Sequence, residues 1–104
     1  MAQFDVFANP IVRARRAYPL VVVLQSDLAD TGRERIVAPL ALRTRVTGSA
    51  GRLMPYVKVS GVEHLVFVQY VSAVAVDDLR DLRGQLAPYR EVIVAALDYL
   101  FLGV

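Results

Sequence analysis

The chain of 104 residues contains no cysteine, one histidine and one lysine. Without cysteine it can form no disulfide, no thiolate nucleophile and no cysteine-ligated metal centre. A catalytic triad or a histidine-based metal site would need partners for His64 that the sequence does not visibly supply. A glycine-rich motif that cradles phosphate is also missing. We therefore expect no cofactor and no metal, and favour a protein that acts by binding.

Long apolar runs are absent as well. A membrane-spanning helix needs about 20 consecutive apolar residues, whereas the C-terminal run VIVAALDYLFLGV is shorter and is interrupted by Asp98. The stretch RARRAYPLVVVLQS has the charge pattern of a signal peptide, but its apolar part is short and no small-residue cleavage site follows. Together with the lack of cysteine, this predicts a soluble cytoplasmic protein with no membrane partner.

Apolar residues make up 56% of the chain and the net charge is +2. This composition predicts one folded domain over residues 1–104. Arginine dominates the cations, since every one of the 12 basic residues except Lys58 is an arginine. Arginine suits carboxylates, phosphates and aromatic faces, so an acidic peptide, an acidic protein surface and nucleic acid are all possible partners. An arginine-biased genome explains the same count more simply.

Short β-branched runs predict a mainly β fold. The predicted strands lie in QFDVFAN, YPLVVVLQS, RIVAPLALR, RLMPYVKVSG and EHLVFVQYVSAVAV, the last with room for two. Pro39 and Pro55 cannot donate to a ladder, so we expect both at edges or bulges. NPIVRARRA and TRVTGSAGR are predicted loops, and DDLRDLRGQ a polar connection.

The last segment changes to helical spacing. From Pro88 the apolar residues recur every three or four positions and predict a C-terminal α-helix with one face on the core. That face comprises Tyr89, Val92, Ile93, Ala96, Leu97, Leu100 and Val104. The opposite face comprises Glu91, Ala95, Asp98 and Leu102, with Phe101 at the boundary. Leu102 is then either an incidental exposed leucine, the simpler interpretation, or part of a binding surface.

Several strings, taken in order, resemble the CcdB family of small bacterial toxins. They are MAQFDVF, VLQSDLADT, RIVAPLA, LMPYVKV, YVSAVAV and the terminal LDYLFLGV. The resemblance implies an SH3-like β-barrel with a smaller sheet and a C-terminal helix, assembled as a twofold homodimer. It also implies a toxin that binds the A subunit of DNA gyrase and traps the enzyme on cleaved DNA. A CcdA-like antitoxin with a disordered acidic tail would neutralise it, and operator DNA would be bound only through the toxin–antitoxin complex.

The resemblance also implies site residues. The gyrase-binding set is Leu28, Ala29, Asp98, Phe101, Leu102, Gly103 and Val104. In the family a tryptophan that stacks on a gyrase arginine stands where this chain has Leu102, and an aliphatic side chain cannot make that cation–π contact. By charge alone, the antitoxin-binding set is Arg13, Arg15, Arg16, Arg43 and Arg45.

Two alternatives to gyrase poisoning remain. One is a member of the family with a weakened or altered target, which mainly binds its antitoxin and co-represses the operon. The other is an endoribonuclease like the MazF toxins, which share the barrel fold. The second alternative is disfavoured because the chain has no MazF-like N-terminal RP string.

Overall fold

The computed structural model describes residues 1–48 and 51–104, and within them it contains seven strands and one α-helix. The strands are β1 (Asp5–Ala8), β2 (Leu20–Val23), β3 (Glu34–Leu42), β4 (Tyr56–Val59), β5 (Val62–Val66), β6 (Ser72–Ala75) and β7 (Leu82–Gln85). The helix, α1, is Arg90–Leu102. Short 3-10 turns join several of these elements. The predicted loop TRVTGSAGR includes residues 49 and 50, which lie outside the described part.

The strands form one antiparallel sheet in the order β4-β5-β3-β2-β1-β7, with β6 paired to β3 off this path. The nine-residue β3 organises the sheet. One side of β3 pairs with β2, where Leu40 is opposite Leu20. Its other side pairs first with β6 and then with β5, so that Leu40 also faces Val66. Strand β3 therefore joins β4, β5 and β6 on one side to β2, β1 and β7 on the other.

The sheet curves until its two edge strands approach each other. A Cβ atom placed on Gly84 of β7 would lie 3.2 Å from Cγ1 of Val59 in β4, which is tighter than a comfortable van der Waals contact. The Ser60 hydroxyl also donates to the carbonyl of Arg83 at 3.4 Å. Because glycine leaves room for this approach, the sheet forms the predicted barrel-like shell with a C-terminal helix. The homodimer stays a prediction.

Helix α1 packs on this shell through a face that differs slightly from the predicted one. Ile93 and Ala96 are buried among the core side chains. Val94 packs against the core, whereas Val92, predicted to do so, is 44% exposed. The helix is thus rotated toward Val94. Val104 was also predicted on the core face, but it follows the end of the helix at Leu102 and is 74% exposed.

Two predictions about strands were wrong. DDLRDLRGQ contains β7 as well as a turn, because Leu82–Gln85 pairs with β1 although Leu82 is its only large apolar residue. Pro39 lies in the central β3 and not at an edge. Its carbonyl accepts a hydrogen bond from the Phe67 amide at 2.9 Å, beyond the end of β5 and before β6. The N–H and C=O groups of one residue in an antiparallel strand point toward the same neighbouring strand. The N–H that Pro39 lacks would therefore point into the gap between the β3–β5 ladder and the β3–β6 ladder. Pro55 does precede the edge strand β4, as expected.

No helix in the part of the chain that the structure describes is long and apolar enough to cross a membrane.

Candidate functional site

Three of the five arginines predicted to bind an antitoxin line one groove. Arg13, Arg16 and Arg45 surround a cavity of about 560 Å³. The remaining lining residues are Ala17, Tyr18, Ala41, Val46, Thr47 and Phe67. None of these nine residues is acidic, and neither ion pair found in residues 1–48 and 51–104 includes one of the three arginines. This surface, called here the arginine groove, is therefore a concave site with uncompensated positive charge.

Arg15 and Arg43 lie outside the arginine groove. The Arg15 side chain donates through Nε to the carbonyl of Asn9 at 2.6 Å. Its charge also helps to lower the pKa of Asp81, after the larger effect of the hydrogen bond from Arg83. Arg43 instead lies near Tyr56, whose hydroxyl donates to Glu63. That hydrogen bond is the main cause of the raised pKa of Tyr56, and the charge of Arg43 acts in the opposite direction, lowering the pKa. A role for Arg15 and Arg43 in antitoxin binding stays a prediction.

Asn9 fixes the loop that carries Arg13 and Arg16. Its side chain is 5% exposed and donates through Nδ2 to the Tyr18 carbonyl at 2.8 Å. The side-chain Oδ1 accepts a hydrogen bond from the Ile11 backbone amide at 2.9 Å. The backbone amide of Asn9 donates to the Pro19 carbonyl at 3.0 Å. One buried side chain thus ties both ends of the loop together. Sequence reasoning missed Asn9, although an Asn-Pro pair is a signal for a turn.

The same loop also borders an apolar pocket of about 390 Å³. The pocket is lined by Asn9, Ile11, Ala14, Tyr18, Val21, Val37, Pro39, Tyr70, Ser72 and Val74. We call it the apolar pocket. It adjoins the arginine groove, because Tyr18 lines both. The pKa of Tyr18 is raised by burial and, to a smaller extent, by Tyr70.

Three aromatic rings form the boundary between the two concavities. The ring of Tyr18 meets Phe67 edge-on at 5.5 Å and Tyr70 edge-on at 6.1 Å, measured between centroids. Phe67 and Tyr70 are stacked at 5.8 Å. Such offset and edge-to-face contacts hold rings in defined orientations. Sequence reasoning missed this cluster, because Tyr18 lies far from the other two rings along the chain.

The end of α1 is an exposed apolar tip, as predicted for Leu102. Phe101, Leu102 and Val104 are 71%, 70% and 74% exposed. Gly103 closes the helix in a left-handed conformation with φ 75°, and its amide donates to the Tyr99 carbonyl at 3.0 Å. Glycine adopts this conformation without strain and commonly ends helices. We call residues Phe101–Val104 the helix tip; Asp98, one turn earlier, is also exposed.

Leu28 and Ala29, predicted to act with the helix tip, lie in the turn between β2 and β3. Leu28 is 96% exposed. The Ser26 hydroxyl accepts from the Leu28 amide at 3.1 Å, and the Ser26 carbonyl accepts from the Ala29 amide at 3.0 Å. None of the hydrogen bonds in the described chain joins this turn to the helix tip. The structure exposes both groups, and their action as one site stays a prediction.

His64 is buried, with 4% exposure, and its Nδ1 lies 2.9 Å from the Val62 carbonyl. This is the position of a structural residue in β5. Among residues 1–48 and 51–104, no three acidic or histidine side chains are placed to hold a metal ion.

The described chain thus combines a barrel-like sheet and a docked helix with two candidate binding surfaces, the arginine groove and the exposed helix tip. The sequence model of one protein family, described as CcdB protein, matches residues 3–103. The chain therefore belongs to the CcdB family, whose members are toxins of toxin–antitoxin modules. No curated protein sequence matches the chain significantly.

Proposed function

We propose that this toxin binds the A subunit of DNA gyrase through its helix tip and traps the enzyme on cleaved DNA. The proposal rests on membership of the CcdB family and on one structural observation. Three apolar side chains at the helix tip are each at least 70% exposed, while the preceding turns of α1 are docked on the core. Clustered exposed apolar groups of this kind mark interaction surfaces.

Leu102 sets the expected strength of this interaction. In the family, the tryptophan at this position stacks on an arginine of gyrase, and such a cation–π contact is worth about 0.5 to 2 kcal/mol. Leu102 can bury its apolar surface against the partner but cannot make that contact. We therefore propose weaker binding to gyrase than a tryptophan at this position would give.

The antitoxin contact is proposed at the arginine groove. Arg13, Arg16 and Arg45 present forked donors around a concave surface without acidic neighbours. Guanidinium groups make charge-assisted hydrogen bonds to carboxylates, and a disordered acidic segment can become ordered as it binds. The proposal places these three arginines at the centre of the antitoxin contact, and a contribution from Arg15 and Arg43 stays a prediction. Co-repression of the operon, with operator DNA contacted through the antitoxin complex, belongs to the same proposal.

We also propose that the toxin is a homodimer, as the family resemblance implies. Light scattering at micromolar concentration should give twice the chain mass of 11.5 kDa. A strictly monomeric protein would contradict this part of the proposal.

The target is tested by two parallel assays of one toxin preparation, one with gyrase and one with RNA. Gyrase is incubated with supercoiled plasmid, ATP and the toxin, and denaturation then reveals any trapped cleavage complex as linear DNA. A parallel sample contains a single-stranded RNA and no gyrase. We expect toxin-dependent linear DNA and intact RNA. Cleaved RNA with unaffected gyrase would replace the proposal with a MazF-like endoribonuclease.

A further inference from the structure

The arginine groove and the apolar pocket are two sides of one preformed feature. The loop closed by Asn9 presents Arg13 and Arg16 to the groove, and Ile11 and Ala14 to the pocket. Tyr18 forms part of both linings. A ligand that extends from one concavity past Tyr18 therefore reaches the other.

We propose that the two concavities form one composite peptide site, which takes an acidic segment carrying a bulky apolar side chain seated in the apolar pocket. The inference rests on the proposed binding of an acidic antitoxin tail and adds a second chemical requirement to it. Carboxylates next to the three arginines supply charge complementarity. The apolar side chain supplies buried area and fixes the position of the peptide.

The lining of the pocket determines the chemistry of this anchor. Six aliphatic or proline side chains contribute to it, namely Ile11, Ala14, Val21, Val37, Pro39 and Val74. Polar side chains are few, and that of Asn9 is already engaged with the loop backbone. An aromatic or large aliphatic side chain would find apolar contacts and lose few hydrogen bonds with water.

The geometry of the loop also favours binding. Because Asn9 holds both ends of the loop, the groove wall is formed before a ligand arrives, and little ordering of the protein opposes association. Ile11 is 49% exposed in the free chain. An apolar anchor that covers Ile11 would remove this surface from water.

The aromatic cluster argues against nucleic acid as the occupant. Single-stranded nucleic acids bind to free aromatic faces, on which successive bases stack. Here Phe67 and Tyr70 stack on each other, and Tyr18 makes a T-shaped contact with each of them. These ring faces are therefore partly occupied by their neighbours, and an acidic peptide fits the surface better.

The test uses two fluorescently labelled peptides of twelve residues. One contains only Asp, Glu, Gly and Ser, and the other is identical except for one phenylalanine beside the acidic run. Anisotropy titrations with the full chain should give at least about tenfold tighter binding for the phenylalanine peptide, because an aromatic side chain is buried. Placing the phenylalanine on either side of the acidic run, with zero, two or four intervening residues, covers both orientations and the unknown spacing.

Variants assign the two contributions to the two concavities. Ile11→Ser should remove most of the phenylalanine gain, whereas Val12→Ser, at a 70% exposed position outside both linings, should retain it. Arg13→Gln with Arg16→Gln should weaken both peptides, and Lys58→Gln should weaken neither. Circular dichroism checks the fold of each protein.

Ala14→Leu provides a second variant that does not remove a side chain. Ala14 lines the apolar pocket, so a larger residue should fill it and reduce the phenylalanine gain without changing the charge. Loss of the gain in both Ile11→Ser and Ala14→Leu supports the composite site.

The possible failures are distinguishable. Equal affinity for the two peptides at every spacing, with both dependent on the arginines, overturns the composite site but leaves acidic antitoxin binding in place. Peptide affinities unchanged by the arginine substitutions overturn both. A single-stranded oligonucleotide that binds through the same arginines as tightly as the phenylalanine peptide would identify a polyanion site and overturn the inference.

Discussion

The helix tip and the arginine groove are the two candidate binding surfaces, and they are attached to the fold in different ways. Phe101 and Leu102 project from the last turn of α1, beyond the side chains that dock the helix. The groove is built from a loop, strand β3 with the turn that follows it, and the segment after β5. Asn9 holds the loop through partly buried hydrogen bonds. Substitutions at the tip should therefore change binding alone, whereas substitutions in the groove wall should also change stability.

This difference bears on the leucine at position 102. A residue that contributes little to the core can change without unfolding the protein, so the departure from the family's tryptophan is compatible with the family fold. We expect the leucine to affect the proposed gyrase contact, where gyrase would meet an aliphatic surface and not an aromatic one. The groove has less freedom to change in sequence, because Tyr18 packs against Phe67 and Tyr70 as well as lining the groove.

Of the changes to the two candidate binding surfaces, Asn9→Ala should have the largest effect on stability. The substitution removes a buried side chain and leaves the Tyr18 carbonyl and the Ile11 amide without their partner. A fully buried unpaired polar group costs about 1 to 3 kcal/mol. Because these two hydrogen bonds are only partly buried, the free energy of unfolding should fall by about 2 to 4 kcal/mol in urea denaturation, below the full penalty for two groups. Val12→Ala in the same loop should change it by less than about 0.5 kcal/mol. Equal effects of the two variants would mean that Asn9 does not hold the loop.

A smaller effect is expected when residues 102–104 are deleted. The deletion removes exposed side chains and the left-handed cap at Gly103, so the free energy of unfolding should change by less than about 1 kcal/mol. Ile93→Ala, in the docked part of the same helix, should cost about 2 to 5 kcal/mol in the same measurement. If the deletion unfolds the protein, the apolar ending belongs to the core or to a dimer interface.

The smallest effect concerns the ion pair beside the groove wall. The Arg83 guanidinium lies 2.6 Å from the Asp81 carboxylate and lowers the pKa of that carboxyl below its ordinary value of 3.8, with a further contribution from Arg15. Because the pKa of Asp81 is lowered in the folded protein, the ion pair stabilises the fold at pH values above 3.8. This contribution is lost as the pH falls through the lower pKa of the folded state.

The pH dependence of unfolding checks this ion pair. In acid, the wild type should lose slightly more stability than Asp81→Asn, because only the wild type loses the pair. The difference should be smaller than the effect of Asn9→Ala, since both side chains are more than half exposed and solvent screens the pair. A larger difference would indicate that charge, rather than the Asn9 hydrogen bonds, holds this region.

Most of the fold could be predicted from local patterns. The branched runs of β2 and β3, the basic loop and the helical spacing after Pro88 all correspond to observed elements. Strand β7 could not, because its sequence LRGQ shows no alternation of apolar residues and only its pairing with β1 makes it a strand. The position of Pro39 in a central strand could not be predicted either, because the gap between β5 and β6 that accommodates it arises only from the three-dimensional pairing of the strands.

The candidate site was predictable only in part. Charge identified Arg13, Arg16 and Arg45, and periodicity identified the exposed Leu102. The apolar pocket could not be predicted, because it joins the loop to residues of β2, β3 and β6 that are distant along the chain. Nor did charge separate Arg15, which bonds to the Asn9 carbonyl, from the arginines beside it that face the groove.

The most direct test of the central claim measures gyrase trapping by four proteins. They are the wild type, Leu102→Trp, the deletion of residues 102–104, and the triple variant with glutamine at Arg13, Arg16 and Arg45. Linear DNA from the cleavage complex is titrated against each toxin. A restored cation–π contact should lower the concentration that Leu102→Trp needs by about 2-fold to 30-fold, and the deletion should abolish trapping. The arginine variant should match the wild type, because its changes lie in the groove and not at the tip. Trapping that survives the deletion but is lost in the arginine variant would contradict the account.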